Sequence, residues 1–310
     1  MIELITIALI SFLVTFISTP IIANKMEELG IRGIDLHKED NREIPEMGGV
    51  AIVAGVLSGV LIAYFKYNDE RLLVVALLVI LVGSLGIIDY FKTLSPKEKV
   101  VSLSFIGIAL IPFCETTLFE RDFGIFYTLL VPIFFMIACN FTNMLAGFNG
   151  LEIGVGAIAS LGVFAVSFLA KEKTSSIIAL ALFASLLAFL YYNKYPAKVF
   201  PGDVGTLPIG AMLFSAIIFG KLELYGLVIF IPYAIDAALK YFSVGVMTRQ
   251  QQKPTIIKNG LLYLPENSNL SLPRIFIKRK PMQEKDVILR VWLIEAFFCL
   301  IAVFLFFFKK

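Results

Sequence analysis

Ten apolar stretches alternate with polar connections along the chain. They cover 2–22, 48–65, 71–89, 100–114, 122–139, 152–170, 175–193, 206–220, 223–245 and 287–308. Most approach the roughly 20 apolar residues that a helix needs to cross a bilayer, and 100–114 and 206–220 fall short of it. The pattern predicts an all-α fold: a polytopic membrane bundle of about ten transmembrane helices, forming one integral domain over residues 1–310. The first run, "MIELITIALISFLVTFISTPIIA", has no basic start and no clear cleavage pattern, so it is expected to stay as the first span. No period of about 20–50 residues repeats.

The connections form two sets. "KYNDER", "ETTLFER", "KEKT" and the turn around Lys221 are short. The stretches 23–47, 90–99, 140–151, 194–205 and 246–286 are longer and carry most of the lysines and arginines, including Lys38, Lys97, Lys99, Arg249, Arg274 and Lys278 to Lys280. Positive charge accumulates on the cytoplasmic side, so the long set is expected there, with both termini outside. An even number of spans satisfies that arrangement. The unusual residues then share one membrane face, whereas a transporter would tend to place polar groups at mid-membrane.

Composition agrees. The chain is 58% hydrophobic and 16% charged, with mean hydropathy +0.86. A soluble domain carries about 25% charged residues. The net charge of +3 is small, and no nucleic-acid partner is expected. Cys114, Cys139 and Cys299 are far apart, which gives neither a disulfide framework nor a zinc site.

The long connections hold the candidate chemistry. In "GIRGIDLHKEDNREIPEMGGVAI", Asp35, His37 and Lys38 precede the pair Gly48–Gly49. This is either a solvated loop or a phosphate-facing one, with Lys38 supplying charge and the glycine N–H groups approaching an anion. "SLGIIDYFKTLSPKEK" places Asp89 at a membrane edge, before Ser95 and Pro96 at the cap and first turn of the next helix. Lys97 and Lys99 early in that helix oppose its dipole, a conflict that an anionic ligand would relieve. In "CNFTNMLAGFNGLEIG", Asn140 and Asn143 share a helix face, and Gly147 and Gly150 allow a turn. A carboxamide oxygen is a hard, neutral donor suited to magnesium, but interhelical hydrogen bonding would equally explain the asparagines. "YYNKYPAKVFPGDVGTLPIG" concentrates Asn193 and Asp203 among prolines and glycines. Asp203 reads as an accessible metal-binding carboxylate or as a turn residue. Asp236 and Lys240, spaced i, i+4 within a span, either pair structurally or line a cavity. "SLPRIFIKRKP" is either a patch for anionic lipids or a phosphate clamp. Hard oxygen ligands, cations and glycine turns together on one membrane face describe a magnesium-dependent site for phosphorylated molecules.

The strings "IPEMGG", "GIIDYFKTLSPKEK", "NFTNMLAGFNGLEIG" and "YNKYPAKVFPGDVGT", in this order over about residues 30–245, resemble the polyprenyl-phosphate N-acetylhexosamine-1-phosphate transferases. "NMLAGFNGLE" is similar to the eukaryotic and archaeal dolichyl-phosphate GlcNAc-1-phosphate transferase branch. The histidine-rich motif of the bacterial muramoyl-pentapeptide transferase is missing, since His37 is the single histidine. The resemblance implies transfer of GlcNAc-1-phosphate from UDP-GlcNAc to a polyprenyl (dolichyl) phosphate, with UMP released. It implies Mg²⁺, with Mn²⁺ as a substitute, coordinated by Asn143 and Asp203, and Lys99 on phosphate. Asp89 matches the first of an acidic pair whose second member is Tyr90 here. Asp89, Lys99, Asn140 and Asp203 are thus the candidate catalytic residues. Lys38, Gly48, Gly49, Asn149, Glu152, Asn193, Asp236 and Arg274 are the candidate substrate-binding residues, with 246–286 forming part of the site. The expected location is the plasma membrane, or the ER membrane of a eukaryote, with the site facing the cytoplasm. A homodimer, another UDP-N-acetylhexosamine or hexose as donor, and a lipid or ion transporter are the alternatives.

Overall fold

The structure is a computed structural model that describes residues 2–36, 38, 42–115, 117–118, 121–244 and 253–308. His37, Arg249 and the start of the 246–286 connection lie outside the described residues. Twelve α-helices, one 3₁₀ segment and three short hairpins account for the regular elements among the described residues. The helices are α1 (Ile2–Glu28), α2 (Gly49–Tyr67), α3 (Glu70–Lys92), α4 (Pro96–Gly107), α5 (Ile125–Met144), α6 (Leu151–Leu169), α7 (Lys173–Asn193), α8 (Asp203–Phe219), α9 (Glu223–Ile229), α10 (Ile231–Val244), α11 (Leu272–Arg279) and α12 (Glu284–Phe308). The antiparallel hairpins pair β1 (Arg32–Ile34) with β2 (Glu43–Pro45), β3 (Thr117–Leu118) with β4 (Arg121–Asp122), and β5 (Ile256–Lys258) with β6 (Leu261–Tyr263).

Seven of these helices are long and apolar enough to cross a membrane: α1, α2, α3, α5, α6, α7 and α12. The pair α9–α10, bent by 53°, adds an eighth if it counts as one span. Two predicted spans take other forms. The 100–114 stretch is α-helical only to Gly107 and continues as a 3₁₀ segment over Ile108–Phe113. Pro112 lies inside that segment; it has no N–H to give and its ring crowds the preceding turn, which disfavours a continued α-helix. The 206–220 stretch is α8, an apolar helix of 17 residues.

α1 shows how the bundle inverts the soluble pattern. Its buried residues are Ile7, Ser11, Thr15 and Thr19, while Ile5, Leu9, Leu13, Ile17 and Ile21 point outward. The small polar stripe permits close packing on α2: a Cβ on Gly55 would lie 1.9 Å from Thr15 Oγ1, and one on Gly59 2.0 Å from Ser11 Oγ. Interhelical packing through small residues is what an apolar solvent favours.

α8 lies at the centre, buried from Val204 to Phe219 and packed against α3, α5 and α7. Glycine sets the separations. A Cβ on Gly210 would lie 2.3 Å from the Ala138 carbonyl oxygen of α5, and one on Gly86 of α3 would lie 2.4 Å from the Val204 nitrogen. These contacts fix the first half of α8 against α3 and α5.

The two ends of the bundle differ. The short connections meet at one end, where Lys66 pairs with Glu3 at 2.7 Å, Lys221 with Glu115 at 2.6 Å, and Arg71 bridges Asp69 and Thr174 at 2.8 Å each. The longer connections meet at the other end.

Candidate active site

Four helix ends converge at the end formed by the long connections. Asp89 lies in the last turn of α3, Lys99 in the first turns of α4, Asn143 near the end of α5 and Asp203 at the start of α8. Local sequence explains each placement. Ser95 caps α4 by accepting from the Glu98 N–H, while the Glu98 carboxylate accepts from the Ser95 N–H at 2.7 Å; Pro96 occupies the first turn. This capping box sets the helix start and so the height of Lys99. Asp89 accepts from the Leu94 N–H at 2.8 Å through Oδ1, which holds the α3–α4 turn and leaves Oδ2 facing Lys99. Gly202, at φ +63°, turns the chain into α8, where the Asp203 carboxylate suits the positive end of the helix dipole.

Lys99 Nζ lies 2.6 Å from Asp89 Oδ2 and 2.9 Å from Asp203 Oδ2. Burial alone would lower the lysine pKa, but the two carboxylates outweigh it and hold it above its ordinary value, so the amine is charged at neutral pH. Asn143 Nδ2 donates to Asp203 Oδ2 at 3.2 Å, and Thr206 donates to Asn143 Oδ1 at 2.8 Å. The sequence reading missed Thr206. Its signal was available, since a residue three beyond Asp203 in a helix lies on the same face. Asn140 does not join this group through the hydrogen bond it makes: its Nδ2 donates to the Met136 carbonyl of its own helix at 2.9 Å.

A second buried polar group ties distant segments together. Lys38 pairs with Glu284 of α12 and lies 3.5 Å from Asp35. Glu284 accepts from the Asn149 N–H at 2.7 Å, and the Asn149 side chain donates to Asp35 at 2.9 Å. The Lys38 ammonium also sits 4.2 Å above the Tyr195 ring centre. Lys38 and Asn149, both expected to bind substrate, are thus brought together by Glu284, which no local motif distinguishes. Glu152 is buried in the first turn of α6, which begins after Gly150 at φ +82°. The stretch 143–152 therefore feeds both groups, through Asn143 and Asn149.

The remaining candidates make contacts within the protein. The Gly48 and Gly49 N–H groups donate to the carbonyls of Phe200 and Pro201, each at 2.9 Å. Those N–H groups face protein oxygens, which corrects the expectation that they approach an anion. The pair is needed for close approach: a Cβ on Gly49 would lie 2.3 Å from Gly205 Cα. Asn193 donates to the Val199 carbonyl at 2.9 Å and so closes the connection before α8. Asp236 is fully buried, pairs with Lys240 at 2.8 Å and accepts from the Leu272 N–H at 2.8 Å. Lys240 reaches the Met144 carbonyl, so this pair links α10 to α5 and α11. Arg274 donates to Asn269 and to the Lys253 carbonyl, the latter at 2.5 Å, and organises the 253–274 segment. Burial lowers its pKa despite the opposing pull of Asp236.

Among the described residues no three His, Cys, Asp or Glu side chains form a metal cluster of their own. The Asp203 and Asp89 carboxylates and the Asn143 carboxamide are hard oxygen donors beside one another's partners. That set fits Mg²⁺, which commonly takes one or two carboxylates and completes its shell with water and substrate phosphates.

Fold and site together define a polytopic helical membrane protein with an acid–lysine–carboxamide centre at one end. The chain belongs to glycosyl transferase family 4, which residues 72–221 match directly. A protein provisionally named a glycosyltransferase in Methanocaldococcus jannaschii is 41% identical over 304 residues, covering 97% of this chain and 96% of the relative. One from Saccharolobus solfataricus, provisionally named UDP-N-acetylglucosamine–dolichyl-phosphate N-acetylglucosaminephosphotransferase, is 32% identical, covering 96% and 95%. The phospho-N-acetylmuramoyl-pentapeptide-transferase of Halalkalibacterium halodurans is 30% identical, covering 71% and 76%.

Proposed function

We propose that this protein transfers GlcNAc-1-phosphate from UDP-GlcNAc to a polyprenyl phosphate of the dolichyl type, releasing UMP. The observation that carries the reading is the meeting of Asp89, Lys99, Asn143 and Asp203 at four helix ends in a chain of this family. The names of the archaeal relatives supply the donor and acceptor classes.

An oxygen of the acceptor phosphate attacks the phosphorus that bears the sugar. The bond from that phosphorus to the bridging oxygen breaks, and the electron pair leaves with UMP. One pyrophosphate linkage replaces another, so the reaction lies near equilibrium. Phosphoryl transfer needs positioning and charge neutralisation more than covalent help. Lys99 is placed to exchange its carboxylate partners for phosphate oxygens. Asp203 and Asn143 would hold Mg²⁺, for which Mn²⁺ substitutes. The metal supplies Lewis-acid stabilisation of the pyrophosphate charge. Asp89, fixed by the Leu94 N–H, orients the acceptor or removes a residual proton. The Lys38–Glu284–Asn149 group holds the turn between α5 and α6 that directly follows Asn143.

The same reading has about ten membrane crossings, with the short α8 and the α4–3₁₀ segment counted as crossings inside the bundle. It places the site on the cytoplasmic face of the plasma membrane. The test is purified protein with UDP-GlcNAc, polyprenyl phosphate and Mg²⁺, assayed for UMP and for the lipid-linked sugar, with UDP-GalNAc in a parallel arm. Product only with UDP-GalNAc would move the donor to another hexosamine. No UMP from any UDP-sugar would favour the transporter alternative.

A further inference from the structure

Thr206 lies one turn beyond Asp203 in α8 and is 3% exposed. Its hydroxyl oxygen is 2.8 Å from Asn143 Oδ1 and 3.3 Å from the Gly202 carbonyl oxygen. Across the same carboxamide, Asn143 Nδ2 donates to Asp203 Oδ2 at 3.2 Å. Asn143 therefore turns its nitrogen toward Asp203 and its oxygen toward Thr206. That orientation is reversed for a cation held jointly by Asn143 and Asp203, because the amide nitrogen is a donor only and the carbonyl oxygen is the ligand.

We propose that Thr206 is a positioning residue that allows the Asn143 carboxamide to flip when a divalent cation arrives; this rests on the magnesium reading above. A hydroxyl has one proton to donate and lone pairs to accept with. In the orientation described, Thr206 donates to Oδ1. After the flip it accepts from Nδ2, and its own proton turns to the Gly202 carbonyl already within reach. The flip gives up the Asn143–Asp203 hydrogen bond, but Thr206 itself then takes part in two hydrogen bonds instead of one, so its hydroxyl favours the cation-bound arrangement over a side chain that lacks it. The backbone need not move. Thr142 Oγ1 is bonded to the Thr206 carbonyl at 3.0 Å, and Gly210 rests against Ala138, so α5 and α8 stay fixed while one side-chain torsion changes.

The test is Mn²⁺ binding to the detergent-solubilised full chain, read by electron paramagnetic resonance of free Mn²⁺, with UDP-GlcNAc present and acceptor lipid absent. Thr206→Val keeps the shape but removes the hydroxyl, and is expected to weaken Mn²⁺ binding about fivefold, the worth of one net hydrogen bond. Thr206→Ser is expected to stay within about twofold of wild type. Asn143→Asp has a carboxylate that needs no flip. Adding Thr206→Val to it is therefore expected to change Mn²⁺ affinity by less than about twofold. If Thr206→Val does not fold, Thr206→Ala is compared with Thr206→Ser in the same way. Equal Mn²⁺ affinity in Thr206→Val and wild type overturns the proposal, as does equal weakening by Thr206→Ser and Thr206→Val. Failure of the metal reading looks different: wild type binds no Mn²⁺, or Asp203→Asn binds it as tightly as wild type, and the flip then fails with it.

Discussion

Lys99 and Asp203 are 104 residues apart in the chain and meet at 2.9 Å, each near the start of its own helix. The contact depends on two local devices, the Ser95–Glu98 capping box and the close approach of α8 to Gly86. It leaves one ammonium between two carboxylates, Asp89 and Asp203, from two other helices. An ammonium so held is charged, and under the proposed reaction it would meet a phosphate oxygen.

Replacing it should therefore cost rate more than stability. Lys99→Met is expected to lower kcat for UMP release by about a hundredfold or more, as loss of a positioned charge at a phosphoryl centre does. Lys99→Arg should recover little, because a planar fork does not fill the site of a compact ammonium. Steady-state UMP assays decide this. Activity above about a tenth of wild type in Lys99→Met would remove Lys99 from phosphate contact.

Chelation tests the other side of the same contact. EDTA should stop UMP release by the wild-type protein, and added Mg²⁺ or Mn²⁺ should restore it. Asp203→Asn keeps the shape of the side chain but loses the charge that a hard cation needs. It is expected to stay inactive at any Mg²⁺ concentration, measured by UMP release across a Mg²⁺ titration. Full activity after exhaustive chelation would exclude the metal role of Asp203.

The Lys38–Glu284 pair is a question of stability. Both side chains are buried, at 9% and 3% exposure. Removing one partner leaves a buried charge without its counter-ion, which costs about 3–5 kcal/mol. Lys38→Met should lower the thermal midpoint in detergent well below that of wild type. Lys38→Met with Glu284→Leu should recover part of it, and only part, because Glu284 also accepts from the Asn149 N–H. Equal midpoints for Lys38→Met and wild type would show that the pair adds nothing to the fold.

What the sequence made legible follows from what is local. Asp203 stood out because "PGDVG" is a turn, and Lys99 because Ser95 and Pro96 mark a helix start. Both signals lie within a few residues of the side chain they place. Asn143 was visible because a polar amide is costly in an apolar helix. The rest needed three dimensions. Glu284 becomes a partner of Lys38 only when segments 246 residues apart meet. The N–H groups of Gly48 and Gly49 looked free for an anion because nothing nearby in sequence accepts from them; their acceptors are Phe200 and Pro201. Hydropathy over 100–114 measures greasiness and does not see that the α-helix ends at Gly107.

Orientation in the membrane is the remaining premise, and charge placement makes it testable. At the short-connection end, the basic groups Lys66, Arg71 and Lys221 are each paired with a carboxylate. At the other end, Lys97, Lys258 and Lys278 to Lys280 are exposed. Lys and Arg in connections of up to about 60 residues set orientation largely irrespective of nearby acids, so the excess at the site end favours the cytoplasm. Lys258, in β5 and exposed, is a suitable reporter because its backbone is extended, whereas the neighbouring Asn259 has φ +52° and would be strained by substitution. Cys114, half-buried near the opposite end, is first replaced by serine, and Cys139 and Cys299 are buried. Lys258→Cys in that background should resist a membrane-impermeant maleimide in intact cells and react once the membrane is opened. A cysteine introduced at Glu70, exposed in the first turn of α3 at the opposite end, should react in intact cells. The reverse result would put Asp89, Lys99, Asn143 and Asp203 on the outer face, away from cytoplasmic UDP-sugars, and the proposed reaction could not proceed as described.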